Sequence, residues 1–467
     1  MARKTKIICT LGPATESEEV IGRLIDAGTN VFRLNMSHAP HDWAREMATR
    51  VRRQAAARNA FIAVLFDLQG PSIRTGDLPE PFQLKVGDRV EFRERNAAPQ
   101  TELSTTVNYD GLMKDVSEGN RLVVDNGTLL MKILTVRDDR LLCEVLTAGV
   151  LGSRRHINLP GVRLNLPALT EKDHADLSVA VECEADYIAG SFVRDAAHVL
   201  ELRQAIASLE GTAQVVAKIE DQEAIRNIDD IIRGSDVIMI ARGDLGIEVE
   251  YEELPILQRR IVKRCHQLGR RVIVATQLLE SMISNPTPTR AEVTDVANAA
   301  YEEADALMLS GETSVGRYPE RCVEVLVRIA MRLERSGGLG YGDGGILRDE
   351  RAKTARAAVT LADSLPDARL VVFTRRGVLA NTTAMLRPRT GGFFAFTPTE
   401  RVCRQMALTR GVRAFRMPFA SNIEETIKRA IELLRAEDLV KPGTPIVIVS
   451  DILSDHFAAD SILLHHA

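Results

Sequence analysis

Residues 213–220 read AQVVAKIE and residues 237–244 read VIMIARGD. Each is an apolar, β-branched run that ends in charge, as a short buried strand does where it reaches solvent. Side chains alternate faces along a strand, so Lys218 and Glu220, two apart, point the same way. Asp244 closes the neighbouring run, which places a cation and two acids at adjacent strand ends. An ammonium beside two carboxylates suits a divalent cation together with a phosphorylated anion. A buried salt bridge at a strand terminus is the other reading of the same letters.

Outward from these two runs, further strands are expected at about 5–11, 30–36, 61–69, 187–192, 271–277 and 306–312. Helical stretches such as SEEVIGRLIDAG, LPILQRRIVKRCHQLG and RAEVTDVANAAYEEA follow nearly all of them. Eight β-α units with short apolar strands predict a (β/α)8 TIM barrel over residues 1–69 and 167–338. A doubly wound open sheet is the alternative, and the count of eight favours the barrel. Between 70 and 166 the helical period gives way to RVEFRE, RLVVDNGTLLMKILTV and RLLCEVLTAGV, with a turn signal at Asn126-Gly127. This predicts an inserted small β-barrel lid domain in a βα loop, over the catalytic face. The α/β rhythm returns at TEKDHADL with Thr170 as helix N-cap. SGGLGYGDGG, residues 336–345, reads as a linker: it satisfies GxGxxG, but no strand precedes it. LVVFTRR, FFAFT, VRAFRM and PIVIVS then predict a C-terminal α/β domain over 339–467.

The 467 residues are 45% apolar with a net charge of −4. That charge argues against nucleic acid or a membrane surface as a partner and leaves local phosphate sites open. Six cysteines lie far apart with no CxxC spacing, so neither a zinc site nor a disulfide framework is expected. The start, MARKTKIICTLGP, is too short in apolar residues for a signal peptide, and a cytoplasmic setting is expected.

In a parallel barrel the catalytic groups sit at the C-terminal ends of the strands. Those ends are Arg33, Asn35 and Ser37; Asp67; Ser191; Lys218 and Glu220; Arg242 and Asp244; Thr276; and Ser310 with Glu312. Arg33 offers a guanidinium fork for phosphate, and Asn35, Ser37 and Asp67 offer oxygens for a cation. His38 reads as a hydrogen-bonding group rather than a general base. No GxxxxGK[ST] occurs, so a nucleotide here is not held by a P-loop.

TKIICTLGPAT, RLNMSH, GPSIRTG, INLPG, LTEKD, VAKIE, ARGDLG, ATQLLESM and MLSGET, in order over 5–313, resemble the signature of the pyruvate kinase family. The resemblance implies phosphoryl transfer from phosphoenolpyruvate to ADP, giving pyruvate and ATP, by a homotetramer. It implies that Glu220 and Asp244 hold Mg²⁺ and that Lys218, Thr276 and Arg33 are catalytic. Arg33, Lys218, Gly243, Asp244 and Thr276 would bind substrate. Asn35, Met36, Ser37, His38, Arg74 and Arg155 would bind nucleotide. Asn35, Ser37, Asp67 and the Leu68 carbonyl would hold K⁺.

The chain departs from the family pattern in places. Ser72 stands where members that need potassium carry an acid and others carry a lysine, and a retained K⁺ requirement is expected. Arg155 replaces the usual lid lysine with a forked contact, and Ala39 follows His38 in place of glycine. TRRGVLANTT does not match the hydroxyl-rich effector loop, and SILLHHA ends the chain without a glycine-rich final loop, so activation by fructose bisphosphate is not expected. Arg375, Arg376, Arg387 and Arg389 form either an anion site or, by preference, a solvated basic face. Two other functions compete: a Mg²⁺-dependent aldolase or lyase acting on pyruvate enolates, and a non-catalytic metabolite sensor on the same fold. The lid insertion and the Arg33/Arg74/Arg155 set argue against the first. The intact Lys218, Glu220, Asp244 and Thr276 argue against the second.

Overall fold

The structure is a computed structural model that describes residues 3–125, 127–450 and 461–467. The turn expected at Asn126 therefore lies partly outside the described residues. Eight parallel strands close into a barrel: β1 (Lys6–Thr10), β2 (Val31–Asn35), β3 (Ala63–Asp67), β4 (Tyr187–Gly190), β5 (Gln214–Ile219), β6 (Val237–Ala241), β7 (Arg271–Ala275) and β8 (Ala306–Leu309). Each pairs with its sequence neighbours, and β1 pairs with β8 to complete the ring.

Alternation along each strand sorts the side chains into two cores. Ile8, Val31, Leu65, Val216, Met239 and Ile273 fill the interior. Ile7, Phe32, Phe66, Ile188, Ile238 and Leu307 face the surrounding helices. Those helices start where the local chemistry says they should. Ser17 caps Glu18–Ala27, while Thr170 and Thr289 form capping boxes with Asp173 and Glu292.

The insert between β3 and β4 was expected as a small barrel. Among the described residues it forms a six-stranded sheet and a separate two-stranded one around a single core. The ring does not close because Phe82–Leu84 pairs only with Gly149–Leu151, and a register shift at Ile133/Thr135 bends the long hairpin. In the C-terminal domain Arg369–Phe373, Gly392–Thr397, Val412–Arg416 and Pro445–Ser450 form a parallel sheet, with Ser461–His466 antiparallel at its edge.

The stretch 336–345 carries a 3-10 turn, Tyr341–Gly344, and packs rather than dangling. The Tyr341 ring lies 5.8 Å from His266, and its amide donates to Glu303. The C-terminal domain plugs the N-terminal end of the barrel. Ala407 and Leu408 join the interior core, and burying Leu408 contributes about 2 kcal/mol. Lys6 donates to the Val412 carbonyl at 2.7 Å, Arg271 donates to the Tyr187 hydroxyl at 2.8 Å, and that hydroxyl donates to the Gln405 carbonyl. The opposite end stays open.

Candidate active site

The parity that places Val31, Leu65 and Val216 inside the barrel also turns Arg33, Asp67 and Lys218 inward, further along the same strands. They meet at the open mouth. Lys218 Nζ lies 2.9 Å from Glu220 Oε1 and 3.2 Å from Asp67 Oδ1, and donates to Ser191 Oγ at 2.6 Å. Ser191 in turn donates to the Leu68 carbonyl, fixing the ammonium's position. Arg33 gives Nε to Asp67 at 2.6 Å and Nη1 to Thr10 Oγ1 at 3.1 Å. The expected charge cluster and its salt-bridge alternative are therefore one object, an ionic network facing an open site.

The charges have clear physical causes. Burial works against the Lys218 ammonium, but Asp67 and Glu220 outweigh it and hold its pKa above the ordinary lysine value. Asp67 is likewise buried, yet Lys218 and Arg33 draw it below the usual carboxylate range. Glu220 differs. Burial pushes it up to about 7; Lys218 and the Phe192 amide pull it down in part, and Asp244 adds to the rise. Two acids press on each other here with one ammonium between them and the next acid, a balance that a divalent cation would relieve.

Asp244 lies in the short helix Arg242–Glu248 and forms no hydrogen bond with any described residue through its carboxylate. The Gly243 amide donates to Thr276 Oγ1 at 2.8 Å, and that hydroxyl donates to the Ala275 carbonyl. Thr276 has φ +69, a left-handed conformation that strains a β-branched residue. Its hydroxyl is thus committed on both sides.

Two strand-end residues turn away from the mouth. Arg242 is buried against Asp295 and the Ala275 and Thr276 carbonyls. Glu312 accepts the amides of Leu279 and Ser310. Both tie loops together, because carboxylates and guanidiniums also satisfy backbone groups that a strand end leaves open.

On the other flank, Pro13, Arg33, Asn35, His38, Trp43 and Ser310 line a cleft of about 450 Å³. Asn35 Oδ1 accepts the Ser37 amide at 3.3 Å. The Met36 side chain is fully buried in the outer core, so only its backbone reaches this region; its carbonyl accepts from Lys172. From the insert, Arg74 donates to Ser72 Oγ at 3.2 Å and to the Arg154 carbonyl, and half-exposed Arg155 pairs with Asp125 at 3.2 Å.

Two contributors escaped the sequence reading. Thr10 ends β1 in the apolar string IICTLG and orients Arg33. His156 of the insert is packed against Phe192, at 5.7 Å between rings. Burial lowers its pKa, with Asp244 opposing and Arg74 reinforcing that shift. The available signal was its place beside Arg155, ahead of INLPG. The insert also reaches the barrel through Asn158, which donates to Glu248 at 3.2 Å, and Arg121, paired with Glu250.

Comparison with known proteins agrees with this geometry. The family description "Pyruvate kinase, barrel domain" matches residues 2–323, and "Pyruvate kinase, alpha/beta domain" matches residues 352–462. The chain is 42% identical over 454 residues to pyruvate kinase isozyme G, chloroplastic, of Nicotiana tabacum, across 96% of this chain and 80% of that one. It is 37% identical to the pyruvate kinase of Geobacillus stearothermophilus, across 97% and 78%. A crystal structure of a pyruvate kinase from Cryptosporidium parvum superposes with a TM-score of 0.94 at 32% identity, covering 99% of this chain and 96% of that chain. With the fold, the mouth chemistry and these likenesses in agreement, the chain belongs to the pyruvate kinase family and is a phosphotransferase.

Proposed function

We propose that the barrel mouth transfers the phosphoryl group of phosphoenolpyruvate to ADP, and that Lys218 is the residue on which the step turns. The observation that carries this reading is the buried Lys218 ammonium, held by Asp67, Glu220 and Ser191 and aimed into the open end. Phosphoryl transfer needs positioning and charge neutralisation more than covalent help. A fixed ammonium at that point neutralises charge on the group in flight and on the enolate oxygen left behind, with no reorganisation.

Arg33 keeps Nη2 free of hydrogen bonds to described residues and orients the phosphate. Asp67 holds both Arg33 and Lys218 in place. Thr276 lies beside the Gly243 turn, near the face where the enolate carbon takes its proton. Asn35 and His38 line the cleft, and on this reading Ser37, the Met36 backbone, Arg74 and Arg155 join them on the side from which ADP approaches.

Glu220 and half-buried Asp244 suit Mg²⁺, which takes one or two carboxylates and fills the rest of its shell with substrate oxygens and water. When bound, it supplies a Lewis acid at the substrate's carboxylate and phosphate. Asp67 Oδ1 is buried with the Lys218 ammonium at 3.2 Å as its one partner among the described residues, which leaves it room to share a monovalent cation with Asn35, Ser37 and the Leu68 carbonyl. Ser72 brings no charge of its own, so K⁺ is part of this reading. The homotetramer and the cytoplasmic setting belong to the same reading, on the family likeness and the dispersed free cysteines.

One coupled assay tests it. Purified protein with phosphoenolpyruvate, ADP, Mg²⁺ and K⁺ is expected to form pyruvate in an ADP-dependent way. Replacing K⁺ with tetramethylammonium at fixed ionic strength is expected to lower the rate. No ADP-dependent pyruvate would sink the activity, and an unchanged rate would sink the K⁺ site alone.

A further inference from the structure

At the closed end of the barrel Arg387 forks onto Asp305 at 2.7 and 3.1 Å. It is buried rather than part of a solvated basic face, while Arg375, Arg376 and Arg389 are exposed. The feature that the reaction leaves unexplained lies at the open end, in the loop that follows β4.

That loop begins Ser191-Phe192-Val193-Arg194, and its residues face two ways. Toward the mouth, Ser191 Oγ holds the Lys218 ammonium. The Phe192 amide donates to Glu220 Oε2 at 2.6 Å, while Lys218 Nζ lies 2.9 Å from Glu220 Oε1. One amide and one ammonium thus set the two oxygens of a buried carboxylate. Toward the insert, Arg194 donates from Nη1 and Nη2 to the Leu164 and Leu166 carbonyls of the returning arm.

Phe192 belongs to both sides. Its ring packs on His156 of the insert, 5.7 Å between centroids and tilted by 57°. Its φ is +53, in the left-handed region that a bulky side chain avoids. Such a conformation persists where the surroundings over-determine it, and here amide and ring are both held. The exit of the insert makes room for this: a Cβ on Gly70 would lie 2.7 Å from Ser191 Cβ and 3.3 Å from Phe192 Cδ2.

His156 is presented by the neck of the insert, where the outgoing and returning arms pair. The Thr75 amide donates to the Arg155 carbonyl at 2.9 Å and the Ile157 amide to the Ile73 carbonyl at 2.8 Å, with Arg74 opposite His156. The imidazole forms no hydrogen bond with a described residue, and burial lowers its pKa, so it packs on Phe192 as a neutral ring.

We infer that Phe192 is a positioning residue for Glu220: the insert seats on its ring through His156, and its amide sets the Glu220 carboxylate. The inference rests on the reading of Glu220 as a Mg²⁺ ligand. Without the ring contact the residue relaxes from its left-handed conformation, the amide leaves Oε2, and the carboxylate turns to Lys218 alone. The seat of the insert then governs how tightly the metal is held.

The test titrates Mg²⁺ by calorimetry into the full chain with saturating phosphoenolpyruvate, and records the melting temperature of each variant. Phe192→Ala is expected to weaken Mg²⁺ binding at least about tenfold, the worth of one amide bond to a charged group. His156→Ala, at a half-buried position, is expected to weaken it about fivefold, the worth of one aromatic pair, and covers the case in which Phe192→Ala does not fold. His156→Phe keeps a ring against Phe192 and is expected to stay within about twofold of the parent. Alanine variants that melt earlier yet bind Mg²⁺ like the parent would overturn the inference, as would His156→Phe binding no better than His156→Ala. Glu220→Gln separates it from the metal reading: Mg²⁺ held as tightly there as in the parent would show that Glu220 is no ligand and would remove both.

Discussion

At the open end of the barrel Lys218 is held among Asp67, Glu220 and Ser191; at the closed end Arg410 is no less buried, but it forms no hydrogen bond or ion pair among the described residues, and Glu334, Glu303 and Asp305 act on it only at longer range. The first arrangement keeps the cation charged and stationary whether or not a substrate is there, as a site that acts on developing charge requires. The second leaves the charge to a balance between its burial cost and the field of Glu334, Glu303 and Asp305, with no contact that fixes the guanidinium in place. Arg387, which lines the same cavity as Arg410, shows the third option, a cation whose counter-charge is built in.

The largest effect tests the open end. Lys218→Met is expected to lower kcat by at least about 10²-fold, while phosphoenolpyruvate still binds to Arg33 and the metal-bearing acids. Turnover near the parent's would show that the matched network is only structural, and the contrast with Arg410 would lose its meaning.

Next comes the closed end, where two arginines that line one cavity should respond by different amounts. Arg387→Met strands Asp305 in the seam and is expected to cost about 3 kcal/mol of stability, read as a lower urea midpoint. Arg410→Met, with no ion pair to lose, should lower the midpoint by less. If both substitutions shift it equally, pairing does not distinguish these residues.

The smallest expected effect runs the same reasoning on an acid. Burial pushes Glu248 up to about 7; Asn158 opposes the rise, and Asp221 and Asp244 add to it. The folded chain therefore holds a proton that the unfolded chain has released by about 4.5, so stability falls as pH rises through that window. Glu248→Gln keeps a hydrogen-bonding group toward Asn158 and is expected to flatten this slope in melting temperatures taken between about pH 5 and 8. An unaltered slope would place the titrating group elsewhere.

Much of the molecule was legible in its letters. Strand alternation is a property of the backbone alone, so the parity of Arg33, Asp67, Lys218 and Glu220 followed from counting, and closure of the barrel then made them neighbours. Capping residues such as Thr170 were readable for the same reason, since their partners lie within one turn. The burial of Met36, the diversion of Arg242 and Glu312 to backbone groups, the opening of the insert into two sheets and the arrival of His156 were not readable. In those cases the partner comes from a distant segment, or a choice among competing hydrogen bonds is made only on packing.

What the amino-acid sequence determined by itself was the eightfold strand rhythm, the face on which each charge emerges and the family to which they belong. Which buried cations find a counter-charge was decided by tertiary structure. Arg387 and Asp305 are 82 positions apart, and Lys218 and Asp67 are more distant still. Electrostatic pairing depends on separation in space and on exclusion of water, and both exist only once the chain has closed on itself.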